Sequence, residues 1–89
     1  MSQWEILRTD TFLKDLKKLR KIDELIVELD KKIQRLKEDP SSIGKQLHGE
    51  LHPSMSTRIY KKYRLIFQID AKKNKVYLEA IDHRKDIYE

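Results

Sequence analysis

Tyr63-Arg64-Leu65-Ile66-Phe67-Gln68-Ile69, with Thr57-Arg58-Ile59-Tyr60 before it and Lys75-Val76-Tyr77-Leu78-Glu79-Ala80-Ile81 after it, decides the fold. Each segment is rich in β-branched and aromatic residues, the types that suit a pleated and half-buried surface. The connections, Lys61-Lys62 and Asp70-Ala71-Lys72-Lys73-Asn74, are short and polar. Strands joined in this way form an antiparallel meander, and its apolar face needs a second layer to cover it.

The preceding residues supply that layer. Thr9-Asp10 offers a capping side chain, and Phe12, Leu13, Leu16 and Leu19 then recur at helical spacing opposite Lys14, Lys17 and Lys18, which predicts a helix ending near Lys21. Asp23 is placed to cap a second helix, with Ile22 and Val27 as a hydrophobic staple. Leu25, Ile26, Leu29, Ile33 and Leu36 give its buried stripe, and Asp39-Pro40-Ser41-Ser42 stops it. Gln3-Trp4-Glu5-Ile6-Leu7 reads as a strand. Residues 43–55, broken by Gly44, Gly49 and Pro53, read as irregular, pinned to the core by Leu47 and Leu51. The expected fold is α+β: an N-terminal strand, an antiparallel helical hairpin, then a three-stranded antiparallel meander, forming one small sheet with the helices on one face.

A chain of 89 residues, 38% apolar and 39% charged, is too short for two self-sufficient cores, so residues 1–89 are expected to form a single domain. No stretch approaches the roughly 20 apolar residues that cross a bilayer, and Met1–Thr9 lacks the basic start and apolar centre of a signal peptide. A soluble, cytoplasmic protein is expected, without a membrane partner. The absence of cysteine removes disulfides, thiolate metal sites and a cysteine nucleophile, and the absence of a Gly-rich loop removes the nucleotide-binding fingerprints. His48 and His52 stand four apart, which on a helix is metal-ligand spacing, but Gly49 and Pro53 oppose a helix there. The carboxylates form no close pair at a predicted strand end, so neither a metal nor a cofactor is expected.

Charge points to a partner. Residues 1–40 hold ten Lys/Arg and nine Asp/Glu, and residues 41–89 hold ten and six, giving about +1 and +4. A basic second half suits a polyanion such as RNA, DNA or an acidic protein. The densest constellation is Arg58, Lys61, Lys62 and Arg64 interleaved with Tyr60 and Tyr63, followed by His83-Arg84-Lys85 and Tyr88. Cations and aromatics alternating on a sheet are what phosphate binding and base stacking require. Lys61 and Lys62 are also what a solvated hairpin tip carries. Arg64 differs, because it opens an apolar strand, where its head group must reach water or an anion.

Pairing decides which of these side chains act together. A three-residue turn at 61–63 pairs Tyr60 with Arg64 and Arg58 with Ile66, placing Arg58, Tyr60 and Arg64 on one face. A two-residue turn pairs Ile59 with Arg64 and sends Arg58 to the other face. The tight turn needs positive φ, and Lys61-Lys62 contains neither Gly nor Asn, so the shared face is favoured.

The order of elements, together with Leu47-His48-Gly49, Tyr63-Arg64-Leu65-Ile66-Phe67 and His83-Arg84-Lys85-Asp86-Ile87-Tyr88, resembles the toxins of the RelE/ParE superfamily, and its RelE branch more closely. The likeness covers essentially the whole chain. It implies a ribosome-dependent endoribonuclease that cuts mRNA in the A site, a cognate acidic RelB-like antitoxin that wraps the toxin, and a toxin–antitoxin complex that binds operator DNA through the antitoxin. By position, the family's phosphate-stabilising strand arginine matches Arg64, and its basic residue on the preceding strand matches Arg58. Arg84 matches the basic residue after the last strand, Tyr88 the base-stacking tyrosine, and His48 a basic position in the Leu-x-Gly segment. Lys61, Lys62, Tyr60 and Lys85 would then contact substrate. The sequence departs from the family at Lys61-Lys62, where a longer Gly-containing turn is common, and at Ser56, near where some members carry a second catalytic lysine.

The resemblance implies a reaction without a metal. An RNA 2′-OH attacks the neighbouring phosphorus, and the products are a 2′,3′-cyclic phosphate and a 5′-OH. The enzyme then needs to align the groups, accept a proton and stabilise charge. For the proton, His83 is favoured over Lys61 and Lys62, since an ordinary imidazole (about 6.5) is substantially neutral at pH 7 and an ordinary lysine (about 10.4) is not. Two other readings remain at this point: a ParE-like gyrase inhibitor without enzymatic activity, and a basic RNA- or protein-binding module that has lost catalysis.

Overall fold

In the computed structural model, which describes residues 4–40, 45–46 and 54–83, Thr9 starts the helix α1 (Asp10–Leu19) as the sequence predicts. Its backbone is extended, and its hydroxyl oxygen accepts the Phe12 N–H at 3.1 Å. Asp10 in the first turn and Lys17 and Lys18 in the last complement the helix dipole. The helix stops at Leu19, two residues before the expected end, and Ile22 N–H returns to Leu19 O at 3.0 Å. The helix α2 (Asp23–Glu38) buries Leu25, Leu29, Ile33 and Leu36 of the expected stripe and leaves Ile26 half-buried. Its start differs from the prediction. Ile22 is the N-cap and no side chain caps the helix, while Asp23 and Glu24 occupy the first turn and act through the dipole instead. Val27 is 52% exposed, which leaves the expected staple unformed.

The sheet has five strands in the order β1-β5-β4-β3-β2. The strand β1 (Glu5–Arg8) lies parallel to β5 (Lys75–His83), and β5, β4 (Tyr63–Asp70) and β3 (Ser54–Tyr60) form the expected antiparallel meander. The two-residue strand β2 (Lys45–Gln46) pairs with Met55 and Ser56, inside a stretch expected to be irregular. So short a strand carries no alternation that a sequence could display. His48, Leu47, Leu51 and residues 84–89, including Arg84, Lys85 and Tyr88, lie outside the described residues.

Both helices cover one face of the sheet, α1 on β5 and α2 on β3 and β1. Phe12, Leu25, Leu29 and Leu36 meet Ile59, Leu65, Phe67, Val76 and Leu78 in the core. Trp4 N–H donates to Lys37 O at 3.1 Å, tying β1 to the last turn of α2. Among the described residues no helix is long and apolar enough to cross a membrane.

Candidate functional site

The β3–β4 hairpin sets the site, and its register matches neither pairing anticipated from sequence. Tyr60 pairs with Tyr63, so the turn has only two residues, Lys61 and Lys62. Lys61 takes the positive φ, at 49°, without Gly or Asn. That conformation costs a residue with a Cβ about 1–2 kcal/mol. The Lys61 ammonium lies 5.2 Å from the centroid of the Tyr60 ring, a contact that returns about 0.5–1 kcal/mol.

A tight turn with unbroken pairing would put Arg58 opposite Leu65, turning the arginine into the core. The ladder avoids this by a register shift between Arg58 and Tyr60, with Ile59 as the extra residue. Arg58 is therefore directly opposite Arg64, and Thr57 opposite Leu65. The expected shared face holds for the two arginines and fails for Tyr60. Tyr60 follows Tyr63 to the helix side and packs against the core.

On the face away from the helices, Arg64 is also opposite Asp82 of β5. Arg58, Arg64 and Asp82 thus form one row across three strands, Arg58 exposed and the other two half-buried. Opposed side chains in such a row have Cβ atoms about 5 Å apart, and like charges there repel. Two arginines held together against that repulsion form a concentrated positive site, and each planar guanidinium can donate two hydrogen bonds to a phosphate.

The same end of the sheet carries a second cluster on its helix side. Tyr63 and His83 are opposite one another with their rings stacked, centroids 4.4 Å apart and planes 20° apart. With Asp15, Lys18, Leu19 and Ile81 they line a cavity of about 230 Å³. His83 is exposed, and its ring faces away from the arginine pair. The cluster is held by α1. Pairing with β1 ends at Leu78, and beyond it side chains of α1 and its cap take over the free edge of β5. The Thr9 hydroxyl donates between Leu78 O (3.1 Å) and Glu79 O (2.9 Å), and Asp15 Oδ2 accepts the Ile81 N–H at 3.0 Å.

Asp15, Lys18 and Asp82 escaped the sequence reading. Asp15 did leave a signal, since it falls among Phe12, Leu16 and Leu19 on the stripe that should be apolar. Asp82 left a weaker one, an acid next to His83-Arg84-Lys85. Asp15→Ala strands the Ile81 N–H and is expected to lower stability by about 1–3 kcal/mol in urea denaturation, with Asp15→Asn losing less because it keeps an acceptor oxygen. Equal stability of all three proteins would show the contact to be idle. Among the described residues no group of three or more His, Asp or Glu is arranged to hold a metal.

Known proteins share this architecture. The profile of the family described as the ParE toxin of type II toxin-antitoxin system, parDE, matches residues 6–88. Toxin RelG of Mycobacterium tuberculosis is 40% identical over 53 residues, which is 60% of this chain and 60% of that relative. A chain of the toxin–antitoxin complex RelBE2 from M. tuberculosis superposes with a TM-score of 0.74 at 33% identity, covering 97% of both chains. A chain of the YoeB dimer from Staphylococcus aureus superposes at 0.76 with 17% identity over 94% of this chain and all of that one, a likeness of fold alone. A profile match over nearly the whole chain and a relative aligned along 97% of it agree, and the chain belongs to the ParE toxin family of the RelE/ParE superfamily, the toxins of type II toxin–antitoxin systems.

Proposed function

We propose that this toxin is a ribosome-dependent endoribonuclease that cuts mRNA in the A site and so stops translation in the cytoplasm. The observation that carries the reading is Arg58 directly opposite Arg64 on the face free of helices among the described residues. In the proposed reaction the 2′-oxygen bonds to the adjacent phosphorus as the P–O5′ bond breaks, and the arginine pair stabilises the charge on the non-bridging oxygens. No step calls on a metal. A domain of 89 residues offers little surface to hold a flexible strand, so the ribosome is assigned the task of positioning it. Arg84, Lys85, Tyr88 and His48 belong to the proposal through family resemblance.

The proton acceptor is proposed separately. His83 stacks on Tyr63 across the sheet from the arginines, so acting on the same phosphate requires its ring to leave the stack and swing over the sheet end. An aromatic stack is worth about 0.5–1.5 kcal/mol, small against the 10²–10⁴-fold that general base catalysis supplies.

The partner we propose is an acidic antitoxin that covers the arginine row, since desolvating two apposed guanidinium groups requires matched carboxylates. An amphipathic segment of it would also find a foothold on the helices. There Leu13, 45% exposed, borders a groove of about 500 Å³ whose charged lining is Arg8, Lys17 and Arg20 with the single acid Asp30.

The family profile, being that of ParE toxins, favours a second reading, inhibition of DNA gyrase. Primer extension on programmed ribosomes separates the two. The expected result is cleavage of ribosome-bound mRNA and little cleavage of the same RNA in free solution. Intact mRNA beside loss of gyrase supercoiling would establish the gyrase reading instead.

A further inference from the structure

The row Arg58–Arg64–Asp82 contains a group that phosphate binding does not call for. A carboxylate beside a phosphate-binding arginine repels the incoming phosphate, yet the β4–β5 register puts Asp82 directly opposite Arg64 and on the same face. Position cannot be blamed on slack pairing. Tyr63 is opposite His83 and Leu65 opposite Ile81, so Asp82 is fixed between two paired neighbours, one of which is buried in the core. With Asp82 included, the row carries a net charge of one rather than two.

We propose that Asp82 is a resident counter-charge that weakens the arginine row for free anions and unpositioned RNA, so that the toxin engages a phosphate strongly only where the strand is already held in place. The inference rests on the reading of Arg58 and Arg64 as the phosphate site. Two consequences follow from charge alone. In the empty protein, Asp82 relieves the repulsion between the apposed arginines, which keeps the pair together on the sheet. When a phosphate arrives, it must compete with a carboxylate that lies well within one Debye length, where salt screens incompletely. A strand delivered by the ribosome meets this competition with its position already fixed; a strand in free solution must bear the cost of ordering as well.

The test uses the full chain and a short single-stranded RNA with 2′-O-methyl groups, which cannot be cut by 2′-OH attack. Binding is followed by fluorescence anisotropy across a salt series, for the wild type, Asp82→Asn, Arg64→Ala and the double variant. Asp82→Asn is expected to bind about tenfold more tightly at low salt, with a log–log salt slope steeper by up to about 0.7, the increment of one added phosphate contact on a single strand. It should also begin to cut unmodified RNA without ribosomes. The double variant should lose the gain, because the carboxylate acts through Arg64. Unchanged or weaker binding of Asp82→Asn, while Arg64→Ala binds poorly, overturns the inference and leaves the phosphate site standing. Wild-type affinity in Arg64→Ala overturns the phosphate site itself. An Asp82→Asn protein that fails to fold makes the carboxylate structural and also overturns the inference; Asp82→Ser, which is smaller and can still hydrogen-bond, is measured beside it to confirm that outcome.

Discussion

Arg64→Ala is expected to lower cleavage of ribosome-bound mRNA by about 10²–10³-fold while leaving the fold intact, the loss that follows removal of one preorganised donor to a developing anion. Arg64 is half-buried on β4 between its buried neighbour Leu65 and Tyr63 at the turn, with its side chain on the face opposite the core. Its strand is pinned by Leu65 and Phe67, both fully buried, so removing the guanidinium does not remove what holds the strand. Arg58→Ala should cost less, because Arg58 is exposed and water screens what it contributes. Arg84→Ala should likewise be milder than Arg64→Ala. Single-turnover cleavage and far-ultraviolet circular dichroism together decide the matter. An unfolded Arg64→Ala protein would make the arginine structural and end its assignment to phosphate.

The second large effect is expected at His83, where His83→Gln should slow single-turnover cleavage by about 10²-fold or more. The amide keeps much of the shape and hydrogen bonding of the imidazole but cannot exchange a proton near neutral pH. Because Tyr63 stacks on the ring, Tyr63→Leu gives an independent view. It frees His83 from the stack without touching the imidazole, so its rate should stay far above that of His83→Gln. A near-wild-type rate for His83→Gln, with a large loss in Lys61→Ala or Lys62→Ala, would move the proton acceptor to the hairpin tip.

How far the sequence discloses this site depends on which physical constraint sets each part. Leu25, Leu29, Ile33 and Leu36 were legible because burial imposes a period, and a period survives in the sequence. The capping of α1 by Thr9 was legible for the same kind of reason, a side-chain preference tied to one position. Asp23 and Val27 match the pattern of a cap and staple, but the chain between Leu19 and Ile22 is too short and too tightly bonded to present them that way. The hairpin register was not legible. It follows from a compromise among a lysine forced to positive φ, an inserted Ile59 and the need to keep Thr57 and Leu65 inside, and no one of these is visible without the others. Two arginines on one face could be anticipated from alternation. The aspartate beside them could not, because β5 has its own register shift between Leu78 and Ala80, which reverses any face count made along the strand from Val76.

The parallel pairing of β1 with β5 bears on how this toxin comes into being. Glu5–Arg8 are made some seventy residues before their ladder partners, Lys75–Leu78. Until those residues emerge, β1 has no neighbouring strand, Thr9 has no carbonyls at Leu78 and Glu79 to bond, and Asp15 has no Ile81 N–H to accept. The hydrogen bonds within each helix are local, whereas the sheet closes only through contacts some seventy residues apart in sequence. Both arginines of the row leave the ribosome before β5 does, but Leu65 and Phe67, which hold the strand of Arg64, have β5 as a flank that arrives late. The row Arg58–Arg64–Asp82 is therefore complete only once β5 has been made.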